Sequence, residues 1–123
     1  MGTAFLTCQE SGIPEAYKVA ILVASEHYTV VTVAFSGRPA RGIRNRFIST
    51  ADHASLGSIL AYPYQNSLTR PLRAAAAEQD LSDYLSLWAG QGVRMARRTS
   101  VRELLEGIGL EISATLTKLH GAG

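Results

Sequence analysis

The chain has 123 residues, 46% hydrophobic and 18% charged, a balance that supports one domain with a core and excludes a disordered chain. Lysine and arginine exceed the acids by only two charges, so the molecule as a whole is not a polyanion binder. A single cysteine, Cys8, excludes an internal disulfide and points to a reduced, cytoplasmic setting, and no apolar run approaches the ~18 residues of a membrane-spanning helix.

Residues 1–7, MGTAFLT, are apolar and β-tolerant and predict the end of a strand with the turn leaving it. Ser11-Gly12-Ile13-Pro14 predicts a helix start, with Pro14 in the first turn and Glu15 at the positive end of the dipole. This helix runs to about Ser25, and its apolar residues spread beyond one stripe, so it is expected to be covered on more than one side. Thr29 to Phe35, TVVTVAF, is the clearest strand. A lone strand leaves its edges unsatisfied, so its partner is residues 1–7, a segment of less obvious character, or chain outside these residues.

The stretch FSGRPARGIRNRF, Phe35 to Phe47, packs Arg38, Arg41, Arg44 and Arg46 together without an acid. Gly37, Gly42 and Pro39 shape it as a loop, and its aromatic ends can anchor it in a core. Ile43 to about Ser49 predicts a short helix, and Thr50 to Ser58 a connection. Pro63 biases Tyr62 away from helix, which makes Ala61 to Asn66, AYPYQN, extended. Ser67 or Thr69 then caps a helix with Pro71 in its first turn and Leu72 to Gln79 as its body. A further helix is expected from Asp83 to Arg97, bent at Gly90 and Gly92. Ser100 to Glu103 is a capping box opening a final amphipathic helix on Val101, Leu104, Leu105, Ile108, Ile112, Leu116 and Leu119, with a frayed tail from His120.

His27, His53 and His120 are isolated, and the acids are scattered, so neither a metal site nor a Ser-His-Asp grouping nor a GxxxxGK phosphate loop can be assembled. Cys8 reads as a small buried thiol. Gly2-Thr3 after a strand end is either a plain turn or a place where backbone N–H groups and a hydroxyl meet a phosphate.

Four segments in order, MGTAFLTCQESGIPEAYK, TVVTVAFSGRPARGIRNRF, AYPYQNSLTRPLRAAAA and DYLSLWAGQGVRMAR, give the chain a resemblance to the C-terminal part of the nitronate monooxygenase family, also called 2-nitropropane dioxygenase. The resemblance implies an FMN enzyme that oxidises alkyl nitronates with O2. It also implies an α/β fold that reads as α+β over these residues alone. That piece is mostly helical with about two strands, the C-terminal part of an FMN-binding (β/α)8 barrel plus a small α/β subdomain. The family's phosphate motif, Gln-Met-Gly-Thr, maps onto Met1, Gly2 and Thr3 without the Gln. Tyr62, Gln65, Asn66, Trp88, Gln91, Arg38 and Arg41 are the implied substrate-side candidates, the two arginines favouring an anion or bracing the subdomain through Glu10 or Glu26. No residue takes the family's catalytic base.

On this resemblance residues 1–27 are the end of the last barrel strand and the following helix, 28–98 the small subdomain, and 99–123 a helix packing on the barrel. A complete barrel needs about 250 residues, so the chain is expected to be a fragment, inactive alone, without retained FMN and prone to self-association. No nucleic acid, membrane or metal is expected. The alternatives are a flavin-dependent enoyl reductase of the same fold group, which AYPYQN and WAGQG disfavour, and a non-enzymatic basic binding module, which the net charge disfavours.

Overall fold

A computed structural model describes residues 2–24, 28–54 and 57–121. Among these the order is α1 (Gly2–Leu6), α2 (Glu15–Val23), β1 (Thr29–Thr32), β2 (Ala40–Ile43), α3 (Arg46–Asp52), α4 (Tyr64–Glu78) and α5 (Val101–Gly121), with 3-10 turns at Ser82–Tyr84 and Val93–Met95. No helix among the described residues is long and apolar enough to cross a membrane.

The strand end predicted over residues 1–7 is corrected over Gly2–Leu6 to a helical turn, α1, while Met1 lies outside the described residues. Seven residues are too few to carry a period, and hydrogen bonds from Thr7 decide the outcome. The Thr7 hydroxyl donates back to the Ala4 carbonyl at 3.2 Å and across to the Arg97 carbonyl at 2.7 Å, closing the turn rather than extending it. Helix α2 lies where predicted, with Ile21 and Lys18 buried, but Val19 and Val23 face outward, so the expected cover on more than one side is absent among the described residues.

Strand β1 finds its partner inside the arginine stretch. It pairs antiparallel with β2 in the register Thr29 with Ile43 through Thr32 with Ala40, so part of the expected loop is strand. Residues 33–39 make the connection, closed by the Gly37 amide on the Val33 carbonyl at 2.8 Å, with Gly37 at φ +80°. The aromatic ends do anchor it: Phe35 is fully buried, stacked on Phe47 at 4.6 Å and edge-on to Trp88 at 5.7 Å.

The helix expected from Asp83 to Arg97 is a correction of larger consequence. After a 3-10 turn the chain runs extended along the free edge of β2. The Ile43 amide donates to Leu87 O at 2.8 Å, the Ala89 amide donates to Arg41 O at 3.2 Å, and Gly42 bridges Trp88. Leu85, Leu87 and Ala89 alternate into the core beside Ile21, Ile43, Ala76 and Val93, which is a period of two and not of 3.6. A Cβ on Gly42 would stand 2.8 Å from the Leu87 carbonyl oxygen, so only glycine lets the segment approach.

Helix α3 begins three residues later than predicted because Asn45 caps it. Its Oδ1 accepts from the Ile48 amide at 3.2 Å while Nδ2 donates to Ser82 O and Leu85 O. Helix α4 begins at Tyr64, which corrects the extended reading of Ala61 to Asn66 and puts Pro71 inside the helix. Gln65 and Thr69, one turn apart, outweigh the proline. Gln65 Nε2 donates to Ala34 O and the Thr69 hydroxyl to Phe35 O, both at 2.6 Å, docking this face on the turn after β1.

The capping box opens α5 as predicted, and the helix continues through His120 to Gly121. The Ser100 amide and the hydroxyls of Thr99 and Ser100 donate to Glu103 and hold its carboxyl down at about 2. A depressed carboxyl stabilises the fold above its unfolded value, and that contribution is lost as pH falls from there through about 2. Glu103→Gln should therefore remove one acid-sensitive component of the far-UV helix signal in that window; an acid titration identical to that of the unaltered chain contradicts the cap. Beyond Leu104 the apolar face of α5 is open, with Leu105, Leu110, Ile112, Leu116 and Leu119 each at least half exposed.

Candidate functional site

The amide of Gly90 donates to the Thr3 hydroxyl oxygen at 3.0 Å, joining two parts of the chain 87 residues apart. The contact exists because the extended segment after Leu85 carries Gly90 past the edge of β2 to the start of α1. Around it lies a hollow of about 440 Å³ lined by Gly2, Thr3, Arg41, Trp88 and Gly90. A second hollow of about 520 Å³ adjoins it, sharing Thr3 and Gly90 and adding Gln91, Arg97 and Glu111. A Cβ on Gly2 would meet nothing within 4 Å, so the backbone there is open to a ligand.

Each wall is held by a side-chain donor. Arg41 sits on β2, and its Nη1 donates to the carbonyl and hydroxyl oxygens of Thr29 at 3.2 and 3.3 Å. The Trp88 carbonyl accepts the Tyr17 hydroxyl at 2.8 Å, and burial pushes that phenol up to about 12. Cys8 is fully buried, and burial raises its thiol above the usual range.

The predicted residues divide into two groups. Gly2, Thr3, Arg41, Trp88 and Gln91 meet around the Thr3–Gly90 contact, while Met1 lies outside the described residues. Arg38, Tyr62, Gln65 and Asn66 line neither hollow. Arg38 stacks its guanidinium 4.8 Å from the Tyr62 ring centre. Gln65 is buried with both ends engaged, by Ala34 O and by the Leu60 amide at 3.1 Å. Asn66 accepts from Arg73 through its carbonyl and its Oδ1.

The bracing of the arginines through Glu10 is corrected: the Glu10 carboxylate accepts from the Val101 amide at 3.1 Å, and Arg41 is held by Thr29. Glu26 and His27 lie outside the described residues. His53 and His120 are exposed, each ring bonded to the carbonyl four residues before it. No metal-holding group of His, Cys, Asp or Glu occurs among the described residues. Sequence reasoning missed Gly90 as the partner of Thr3; the alternation in LSLWA was the signal that could have found it.

The family model described as nitronate monooxygenase matches residues 1–111. The chain belongs to the nitronate monooxygenase family. A probable nitronate monooxygenase of Staphylococcus haemolyticus is 40% identical over 117 residues, which are 95% of this chain and 32% of that protein. One of Bacillus subtilis is 43% identical over 106 residues, 85% of this chain and 30% of that protein. The chain thus spans about a third of the length of the curated relatives it matches.

Among solved structures, nitroalkane oxidase from Streptomyces ansochromogenes superposes with a TM-score of 0.87 at 41% identity, covering 97% of this chain and 33% of that one. FabK from Thermotoga maritima superposes at 0.79 and 31%, covering 100% and 39%. Every residue around the Thr3–Gly90 contact lies within the span matched to nitronate monooxygenase, whereas the last ten residues of α5 lie beyond it.

Proposed function

We propose that this chain forms the cofactor-phosphate and substrate-side part of an FMN-dependent nitronate monooxygenase that oxidises alkyl nitronates with O2. The observation that carries the reading is the Thr3–Gly90 hydrogen bond, which brings the phosphate-motif residues against the wall that holds Arg41 and Trp88. The residues suit an anionic oxygen group. Gly2 leaves its backbone open to close approach, and the Thr3 hydroxyl, accepting from Gly90, keeps its own proton to donate.

In this reading Met1, Gly2 and Thr3 hold the phosphate, and Arg41 biases the hollow toward anions. Trp88 and Gln91 form part of the cleft wall, while Gln65 and Asn66 act as struts of the subdomain whose outer surface carries Arg38 and Tyr62. FMN, when bound, supplies the redox chemistry between nitronate and O2. The base belongs to residues outside this chain.

Residues 1–27 carry the phosphate segment and α2, 28–98 the small α/β subdomain, and 99–123 the helix that packs on a (β/α)8 barrel. The open apolar face of α5 and the share of the relatives that the chain spans support that division. The 123 residues alone are read as a cytoplasmic chain that retains no FMN, turns over no nitronate and self-associates through its exposed apolar faces. A flavin-dependent enoyl reductase is the second reading, with weaker support from the likeness to FabK at lower identity.

The test is a graft of residues 1–111 into the Bacillus subtilis relative in place of its matching segment. The graft is expected to purify with flavin and to consume O2 on an alkyl nitronate, while the 123-residue chain does neither. NAD(P)H-driven enoyl reduction without O2 uptake on nitronate would overturn the assignment.

A further inference from the structure

Lys18 is buried in α2, and a buried ammonium is costly unless its protons are taken up. Its Nζ donates to Cys8 O at 2.8 Å and to Gln9 O at 3.4 Å, carbonyl oxygens rather than a carboxylate. Both carbonyls belong to the turn that leaves α1. The same turn is tied to the segment before α5 by the Thr7 hydroxyl on Arg97 O and by the Gln9 amide on Thr99 O at 3.0 Å. At five residues α1 is too short to keep its direction unaided, so the anchoring of this turn decides where Thr3 stands.

The neighbouring residue holds the other side. Tyr17 donates its hydroxyl to Trp88 O, two residues before Gly90. Consecutive residues of α2 therefore reach opposite walls: Tyr17 the segment that carries Gly90, Lys18 the turn that carries α1. We propose that Tyr17 and Lys18 are a positioning clamp for the Thr3–Gly90 contact, with the buried Lys18 charge as its stronger arm. Through that contact the clamp sets the site, and its bearing on the cofactor rests on the reading that Thr3 meets the FMN phosphate.

The clamp is tested in the 123-residue chain by hydrogen exchange, read by mass spectrometry on peptides spanning residues 88–93 and 41–45. Lys18→Met is expected to speed exchange of the Gly90 amide about tenfold and Tyr17→Phe to do so less, while the Ile43 amide, paired with Leu87, is unchanged. Cys8 provides a second readout, because loosening its turn should expose the thiol to a disulfide reagent in Lys18→Met. Should Lys18→Met fail to fold, Lys18→Gln and Tyr17→Phe are judged by the same peptides. Unchanged Gly90 exchange, or equal acceleration at Gly90 and Ile43, overturns the clamp. Faster Gly90 exchange with unaltered flavin affinity in the graft supports the clamp and overturns the phosphate reading of Thr3 instead.

Discussion

Gly37→Ala is expected to destabilise the fold by about 3 kcal/mol, read as a fall in the urea midpoint at constant slope. Two costs add at this position. Gly37 has φ +80°, which an L side chain adopts only at a cost of about 1 kcal/mol. The added Cβ would also stand 2.5 Å from Leu60 O and 2.6 Å from the Tyr62 amide nitrogen, both backbone atoms that no rotamer change can clear. Relief requires parting the turn after β1 from the start of α4, and that joint carries the Gln65 and Thr69 bonds and positions Phe35. Gly12→Ala is the control, since its Cβ would meet nothing within 4 Å. Equal losses in the two variants contradict the account of this turn.

Elements with local causes were legible in the sequence. Helix α2 and the start of α5 are written in Pro14, Glu15 and the Ser100–Glu103 box, and the structure matches them closely. The errors fall where a partner distant in sequence decides. Pro71 argues for a helix start at that point, yet Gln65 and Thr69 begin the helix seven residues earlier by reaching Ala34 and Phe35. Arg41 and Gly42 look like loop residues until β1 is laid beside them, and Trp88 looks helical until β2 offers its free edge.

The candidate residues were legible by type and motif; their arrangement was not. Gly2 and Thr3 stood out as a possible phosphate turn and again by resemblance, with Arg41, Trp88 and Gln91 as further candidates, and the structure gathers these five around one contact. Gln65 and Asn66 show the limit of residue type as a guide, because a side-chain amide serves as well for a strut as for a substrate contact. Nothing in their spacing announces that Ala34 O, the Leu60 amide and Arg73 will occupy them.

Thr3→Val should have the larger functional effect. It removes a hydroxyl able to donate to an anionic oxygen and also leaves the Gly90 amide without its acceptor. A hydrogen bond to a charged group is worth about 1.5–3 kcal/mol, so FMN affinity should fall about 10- to 100-fold. Thr3→Ser keeps the hydroxyl and should stay near the parent. The measurement that bears most directly on the proposed role of this site is the affinity of the graft, with and without Thr3→Val, for FMN and for riboflavin, which lacks the phosphate. A phosphate contact predicts that FMN binding weakens while riboflavin binding does not change; equal weakening of the two flavins, or an unaltered FMN affinity, contradicts it.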